Sequence, residues 1–174
     1  MREHNIPSGP DGYRQASRVC ADARVRQEEA EGDFRATNHD TEPADTFTAD
    51  RSAAQARAAD YDALLMPGGT VNADKLRVDP DVQRFVREIF SAGKPVGMIC
   101  HAPWTLIDAG LASGRTMTSF VSIRTDLRNA GATVLDEEVV KDGRLISSRN
   151  PGDLPAFCAA VVEEFAKTPE RVAG

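Results

Sequence analysis

The amino-acid sequence predicts an α/β domain in which a mainly parallel sheet is covered by helices on both faces. From Tyr61 onward, short apolar runs alternate with amphipathic segments, which is the pattern of consecutive βα units. The runs are almost continuously apolar, so both faces of their strands are expected to be buried. The length of 174 residues suits one domain with a substantial core.

The first sixty residues have a different character. They are polar and charged, and they contain no run that predicts a buried strand. We expect residues 1–35 to form a polar N-terminal segment whose composition is compatible with disorder.

The first βα units follow in order. "YDALLM" predicts a buried strand that enters the glycine loop Pro67-Gly68-Gly69. "DPDVQRFVREIFSAG" predicts an amphipathic helix, because it has an acidic first turn, a stop at Gly93 and apolar residues at helical spacing: Val82, Phe85, Val86, Ile89 and Phe90. "KPVGMIC" predicts a second buried strand.

The remaining elements repeat this alternation. "APWTLIDAG" predicts a short helix, "RTMTSF" a third strand, and "SIRTDLRNAG" a helix with Ser122 as its N-cap. "ATVLDEEVVKDGRLISS" predicts two or three strands with a hairpin turn at Asp142-Gly143. A last helix over 153–167 carries four apolar residues on one side: Leu154, Phe157, Val161 and Phe165.

Composition excludes several classes of protein. The net charge of −6 argues against a nucleic-acid or anionic-membrane partner. No segment has the roughly 20 apolar residues that span a membrane, and the N-terminus lacks a secretory signal, so we expect a cytoplasmic protein. Three widely spaced cysteines and three histidines fit neither a disulfide framework nor a zinc site, and we expect no metal and no cofactor.

Cys100 ends the second predicted strand, where open α/β sheets place their ligand sites. The start of the following helix would favour its thiolate, as in the nucleophile elbow of hydrolases. A buried, inert thiol is an equally good interpretation of Cys100 taken alone. Cys20 and Cys158, the latter expected on the apolar side of the last helix, are interpreted as structural or incidental.

Two neighbouring features favour the nucleophile. The glycine loop "MPGGT" ends the preceding strand, and its backbone N–H groups would form the second half of an oxyanion hole. His101 follows Cys100 directly and is a candidate base; its alternative is a polar surface residue.

Long segments of the chain resemble a known family. "YDALLMPGGTVNADKLR", "GKPVGMICHAPWTLIDAGLASGRTMTSFVSIRTDLRNAGA" and "DEEVVKDGRLISSRNPGDLPAF" look like the PfpI branch of the ThiJ/PfpI superfamily, relatives of class I glutamine amidotransferases. The resemblance runs from about Ala36 to Lys167 and indicates one domain over 36–174.

The resemblance implies a flavodoxin-like three-layer sandwich that forms homodimers or homohexamers. It implies Cys100 as nucleophile, His101 as its adjacent histidine, and the amides of Gly69 and His101 as the oxyanion hole. Asp74 matches an acidic residue that some members supply from a neighbouring subunit. Members act as deglycases, as metal-free glyoxalase-like enzymes or as cysteine peptidases, and many are stress proteins.

The N-terminus departs from the family pattern. Members open with an apolar strand, an Asp-Gly turn and a glutamate that contacts the thiol. Here no strand precedes Asp11-Gly12, and Arg14 stands where a glutamate is expected. We expect the first strand to be missing or altered, through a shifted reading frame or a misassigned start, and proton handling at Cys100 to change.

Two functions from different classes remain. The first is a cysteine-dependent stress-response enzyme that acts on a small carbonyl compound or a peptide. The second is a catalytically impaired or redox-sensing stress protein in which Cys100 is oxidised reversibly. Glutamine amidotransfer ranks last, since no synthetase domain accompanies the site.

Overall fold

The computed structural model describes residues 51–167 and the backbone of two earlier strands, β1 (Phe34–Asn38) and β2 (Glu42–Phe47). These strands pair antiparallel. Neither strand is predicted from the sequence, because a local antiparallel pair is held by backbone hydrogen bonds and needs no continuous apolar run. The expected polar segment and the altered first strand lie outside the described residues, except that Phe34 and Arg35 belong to β1.

Four strands form the central sheet. Its order is β3 (Leu64–Met66), β4 (Val96–Ile99), β8 (Leu145–Ser148) and β7 (Val139–Asp142). The first three run parallel, and β7 pairs antiparallel with β8 through the predicted hairpin. β4 and β8 are buried at every position, as expected for strands covered on both faces. The predicted mainly parallel sheet is confirmed.

A second, smaller pair of strands lies outside this sheet. β5 (Thr116–Met117) and β6 (Thr133–Val134) pair parallel with each other. The predicted strand "RTMTSF" therefore exists in a shorter form, but it does not join the central sheet.

Five α-helices lie within the described residues. They are α1 (Thr70–Val78), α2 (Pro80–Ser91), α3 (Trp104–Asp108), α4 (Arg124–Asn129) and α5 (Leu154–Phe165). Four of them were predicted, with shorter bounds in the structure. α1 was not, because only Ala73 and Leu76 are buried among its nine residues, which leaves no apolar stripe to recognise. No helix in the described ranges is long and apolar enough to cross a membrane.

The sequence of α2 explains why its prediction is confirmed. The Asp79 carboxylate accepts hydrogen bonds from the backbone N–H groups of Asp81, at 2.8 Å, and of Val82, at 3.1 Å. Such an N-cap contributes about 1 kcal/mol, and Pro80 occupies the first turn, where its missing N–H does no harm. The predicted apolar stripe of α2 is buried except for Phe90, which is partly buried.

The core lies on both faces of the sheet. In a large cluster, the four helices α1, α2, α3 and α4 pack against one face of the sheet. The cluster includes Leu106, Ile123 and Leu127, which are fully buried. A smaller cluster on the other face packs α5 against Ile99 and Ile146. Leu154, expected in that cluster, is instead 39% exposed at the first residue of α5. Helices thus cover the sheet on both sides, in the three-layer arrangement that the sequence predicted.

Candidate active site

The backbone takes a left-handed turn immediately after β4. Cys100 has φ = 65° and is the only non-glycine residue with positive φ in the described part of the chain. This conformation costs about 1 to 2 kcal/mol for a residue with a Cβ. The Cys100 N–H donates to the carbonyl of Ser148 at 3.1 Å, and the Cys100 carbonyl accepts from Phe120 N–H at 2.9 Å. These bonds hold the turn, and strain retained in this way is typical of functional sites.

His101 is buried and turned towards the thiol. Its Nδ1 lies 3.1 Å from Cys100 Sγ, and its Nε2 lies 3.1 Å from Ser122 Oγ. The ring stacks on Phe120 at a centroid distance of 4.7 Å and meets the Trp104 ring edge at 5.6 Å. Only 5% of His101 is exposed, so its alternative as a polar surface residue does not hold.

The glycine loop touches the cysteine turn directly. A Cβ on Gly68 would lie 2.5 Å from the carbonyl oxygen of Ile99 and 2.9 Å from the Cβ of Cys100, so no side chain fits there. The Asn72 amide fixes the loop by donating to the Gly68 carbonyl at 2.7 Å. Gly68 is therefore the glycine required by close packing, a role that the sequence analysis did not assign.

Gly69 occupies a different position. It is exposed and is the N-cap of α1, where helix geometry leaves backbone N–H groups without an intrahelical acceptor. At this position, the backbone N–H of Gly69 would lie near the carbonyl oxygen of a substrate bound at Cys100. Its part in an oxyanion hole, together with the His101 amide, stays a prediction.

Ser122 has another role than the one predicted from the sequence. It lies in a 3-10 turn, Val121–Ile123, ahead of α4, whose first turn has no side-chain cap. Its hydroxyl contacts His101 instead, across 21 positions of sequence. The N-cap prediction is wrong because the chain makes an extra turn before the helix begins, and no local pattern indicates the long-range contact.

The other candidate residues lie away from the thiol. Asp74 is exposed on α1, and its supply from a neighbouring subunit stays a prediction. Cys158 is exposed on α5 rather than on its apolar side, because it follows the buried Phe157 and one residue turns a helix by about 100°. Cys20 lies outside the described residues.

A charged cluster braces the end of β8, next to the cysteine turn. Arg149 donates two hydrogen bonds to Asp153, at 2.8 and 3.0 Å, and one to Asp136 at 3.0 Å. Arg124 also donates to Asp136, at 2.7 Å. These guanidinium groups lower the pKa of Asp136 to about 2, and Arg149 lowers the pKa of Asp153. Across the described ranges, no group of three or more His, Cys, Asp or Glu side chains is placed to hold a metal ion.

Comparison with characterised proteins gives close relatives in sequence. The chain is 44% identical over 108 residues to "Deglycase PfpI" of Pyrococcus furiosus, 62% of each chain. It is 45% identical over 111 residues to "General stress protein 18" of Bacillus subtilis, 63% of this chain and 64% of the relative. It is 46% identical over 113 residues to "Protein/nucleic acid deglycase 2" of Escherichia coli, 64% of this chain and 65% of the relative. The chain thus spans less than two thirds of the length of these relatives.

Solved structures agree with the fold. Drosophila melanogaster DJ-1beta has a TM-score of 0.65 and 35% identity, covering 70% of this chain and 66% of its own. A two-domain protein with DJ-1/ThiJ/PfpI-like and ferritin-like domains from Anabaena variabilis has a TM-score of 0.67 and 40% identity, covering 74% of this chain and 38% of its own. The model described as the DJ-1/PfpI family matches residues 20–164, and the chain belongs to this family.

Proposed function

We propose that this protein is a cysteine-dependent enzyme that acts on electrophilic carbonyl groups, such as glycation adducts or small aldehydes, with Cys100 as the nucleophile. One observation carries the proposal: Cys100 is held at φ = 65° with its Sγ 3.1 Å from His101 Nδ1. A nucleophile within hydrogen-bond reach of a base, on a strained turn at the end of a strand, is the arrangement of covalent catalysis.

The chemistry follows from this geometry. The proton of Cys100 Sγ moves to His101 Nδ1, and the thiolate attacks the carbonyl carbon. A C–S bond forms while the C=O π electrons move to oxygen. The amides of Gly69 and His101 donate hydrogen bonds to this oxyanion. The proton on His101 is then returned to the oxyanion, which gives a hemithioacetal, or to the departing group, which leaves a thioester on Cys100. Water attacks the thioester carbon and gives its proton to His101, the C–S bond breaks, and the acid is released with Cys100 free again.

The names of the relatives support this substrate class. Two of those compared are called deglycases, and removal of a glycation adduct begins with attack on an electrophilic carbon. Peptide hydrolysis would use the same nucleophile and oxyanion donors. We further propose a homodimer or homohexamer in which Asp74, exposed on α1, reaches the site of the neighbouring subunit.

A second candidate is a redox-sensing stress protein. Cys100 is only partly buried, and a thiolate next to a histidine is readily oxidised to sulfenic acid by a peroxide that reaches it. One relative is named as a general stress protein. In this function the same turn serves a reversible oxidation, and no substrate is converted.

The test is turnover of methylglyoxal and of a methylglyoxal-glycated peptide by the full chain and two variants. Cys100→Ser should reduce turnover at least about a hundredfold, because a hydroxyl next to the same histidine is a far weaker nucleophile than a thiolate. Cys158→Ser, at the exposed thiol of α5, is the matched control and should retain turnover.

The two candidates give different results in this experiment. Turnover that persists in Cys100→Ser would overturn the enzymatic proposal. Absence of turnover in the unmodified chain, together with rapid sulfenic acid formation at Cys100 under peroxide, would select the sensor instead.

A further inference from the structure

We propose that Ser122 is a positioning residue of this site: its hydroxyl holds His101 with Nδ1 on the Cys100 thiol and accepts a hydrogen bond from Nε2 when the ring is protonated. This inference rests on the proposed function, because it assigns a role within the same Cys100–His101 pair. From its position in the sequence, Ser122 is predicted only as a helix cap.

Ser122 determines the orientation of the His101 ring. Cys100 Sγ and Ser122 Oγ lie 3.1 Å from opposite nitrogens of His101. The flanking Phe120 and Trp104 rings fix the plane of the imidazole. Aromatic contacts of this kind hardly distinguish a ring nitrogen from a ring carbon, whereas a hydroxyl does. A flipped imidazole would lose both polar contacts, so Ser122 selects the orientation that brings Nδ1 to the sulfur.

Ser122 also affects the protonation of His101. A serine hydroxyl donates one hydrogen bond and accepts others, so it can satisfy Nε2 in the neutral and in the charged ring. When the thiol proton moves to Nδ1, the products are a thiolate and an imidazolium with protons on both nitrogens. Nε2–H then donates to Ser122 Oγ. A hydrogen bond to the charged form favours that form, so Ser122 favours the thiolate through the histidine.

Several charged side chains lie on the surrounding elements. Within residues 51–167 they include Asp74 on α1, Arg77 and Asp108 beside Trp104, Asp126 on α4, and Arg124, Asp136, Arg149 and Asp153 near the end of β8. Arg77 pairs with Asp108 at 2.7 Å, and Asp126 accepts from the Trp104 indole N–H at 2.8 Å. Replacing the neutral Ser122 leaves all these charges in place, so a changed titration would report its hydroxyl.

The experiment titrates the Cys100 thiolate in the full chain, from the rate of iodoacetamide alkylation against pH, with each cysteine followed by mass spectrometry. Loss of one hydrogen bond to an exposed partner should raise the midpoint for Cys100 in Ser122→Ala by about half a unit to one unit. Ser122→Thr keeps the hydroxyl and should keep the original midpoint. Cys158, on α5, provides a reference within the same chain.

Thr125→Ala is the matched control, because it removes the hydroxyl of an exposed residue one turn further along the chain. An unchanged midpoint in Ser122→Ala, or an equal rise in Thr125→Ala, would overturn the proposal. The titration needs no substrate. A shift in Ser122→Ala combined with absence of turnover in the unmodified chain would therefore support the positioning role while rejecting the enzymatic function.

Discussion

Two turns of this chain share a left-handed backbone, but only one of them is built on glycine. Gly143, in the hairpin between β7 and β8, has φ = 59°, and Cys100, at the end of β4, has φ = 65°. A Cβ on Gly143 would meet no atom within 4 Å. At the hairpin, glycine removes the conformational penalty, whereas at the cysteine turn the penalty is retained together with the thiol.

The difference lies in what surrounds each turn. The cysteine turn is bonded to Ser148 and Phe120 through its backbone and is packed against Gly68. At the hairpin turn, the space around the Cβ position of Gly143 is open, and the turn connects two paired strands. A strained residue persists where its surroundings fix the backbone, so we infer that the structure around Cys100 serves to present the sulfur rather than to reverse the chain.

The largest effect is expected from filling the space between the glycine loop and the cysteine turn. In Gly68→Ala the new Cβ would clash with the Ile99 carbonyl at 2.5 Å, and the free energy of unfolding should fall by about 3 kcal/mol. Gly69→Ala is the matched control, because it also has positive φ but its Cβ would come no closer than 3.4 Å to Asn72. Urea unfolding should show the smaller loss in Gly69→Ala; equal losses would mean that the loop and the turn are not in close contact.

A smaller effect, of opposite sign at the two turns, is expected from exchanging glycine and a residue with a Cβ. Cys100→Gly should be more stable than Cys100→Ala by about 1 kcal/mol, since glycine relieves the left-handed strain. Gly143→Ala should lose about 1 kcal/mol for the same reason. Both differences in the free energy of unfolding are obtained from the midpoints of urea unfolding, provided that the slope m is the same for the variants compared. A Cys100→Gly variant no more stable than Cys100→Ala would show that the cysteine turn stores no strain.

The smallest effect is expected from acidification, which weakens the stabilising ion pair between Arg149 and Asp153. Arg149 lowers the pKa of Asp153 below its ordinary value of 3.8 in the folded chain, so the stabilisation is complete above that value and is lost as the pH falls through the folded pKa. The stability difference between the unmodified chain and Asp153→Asn should therefore shrink below pH 3.8. Urea unfolding of both proteins at about pH 7, 4.5 and 3 measures this stability difference.

A second ion pair, on strand β7 of the hairpin, provides a control for the pair between Arg149 and Asp153. Lys141 on β7 pairs with Glu163 at 2.8 Å, and the pKa of Glu163 is lowered to about 2. Both side chains are largely exposed, and exposed pairs contribute little. Glu163→Gln should therefore change stability less than Asp153→Asn at pH 7. The reverse order would show that the end of β8 is not braced by Arg149.

The sequence predicted those elements whose signal is local. α2 carries a cap, a proline and a full apolar stripe, and β4 is apolar throughout, so both could be recognised. α1 buries only two residues of its own, and its place in the fold is set by contacts with other elements. Strand pairing outside the central sheet, as in β5 with β6, likewise depends on tertiary packing.

The same division applies to the site. Cys100 and His101 are adjacent, so their type and position after a strand were sufficient to predict that they belong together. Ser122 reaches His101 only because the chain returns to the end of β4 after a strand and a turn. Gly68, not Gly69, is the close-packed glycine because of the direction in which the loop leaves β3, which neighbouring residues do not reveal.

Comparison of two thiols in one chain tests the account most directly. Cys100 lies on the strained turn beside His101, and Cys158 is exposed on a regular helix. Alkylation rates measured against pH, with peptides resolved by mass spectrometry, should show a midpoint for Cys100 at least about one unit below that of Cys158 and below the free-thiol value of about 8.5. A midpoint for Cys100 at or above that of Cys158 would contradict the assignment of an activated nucleophile.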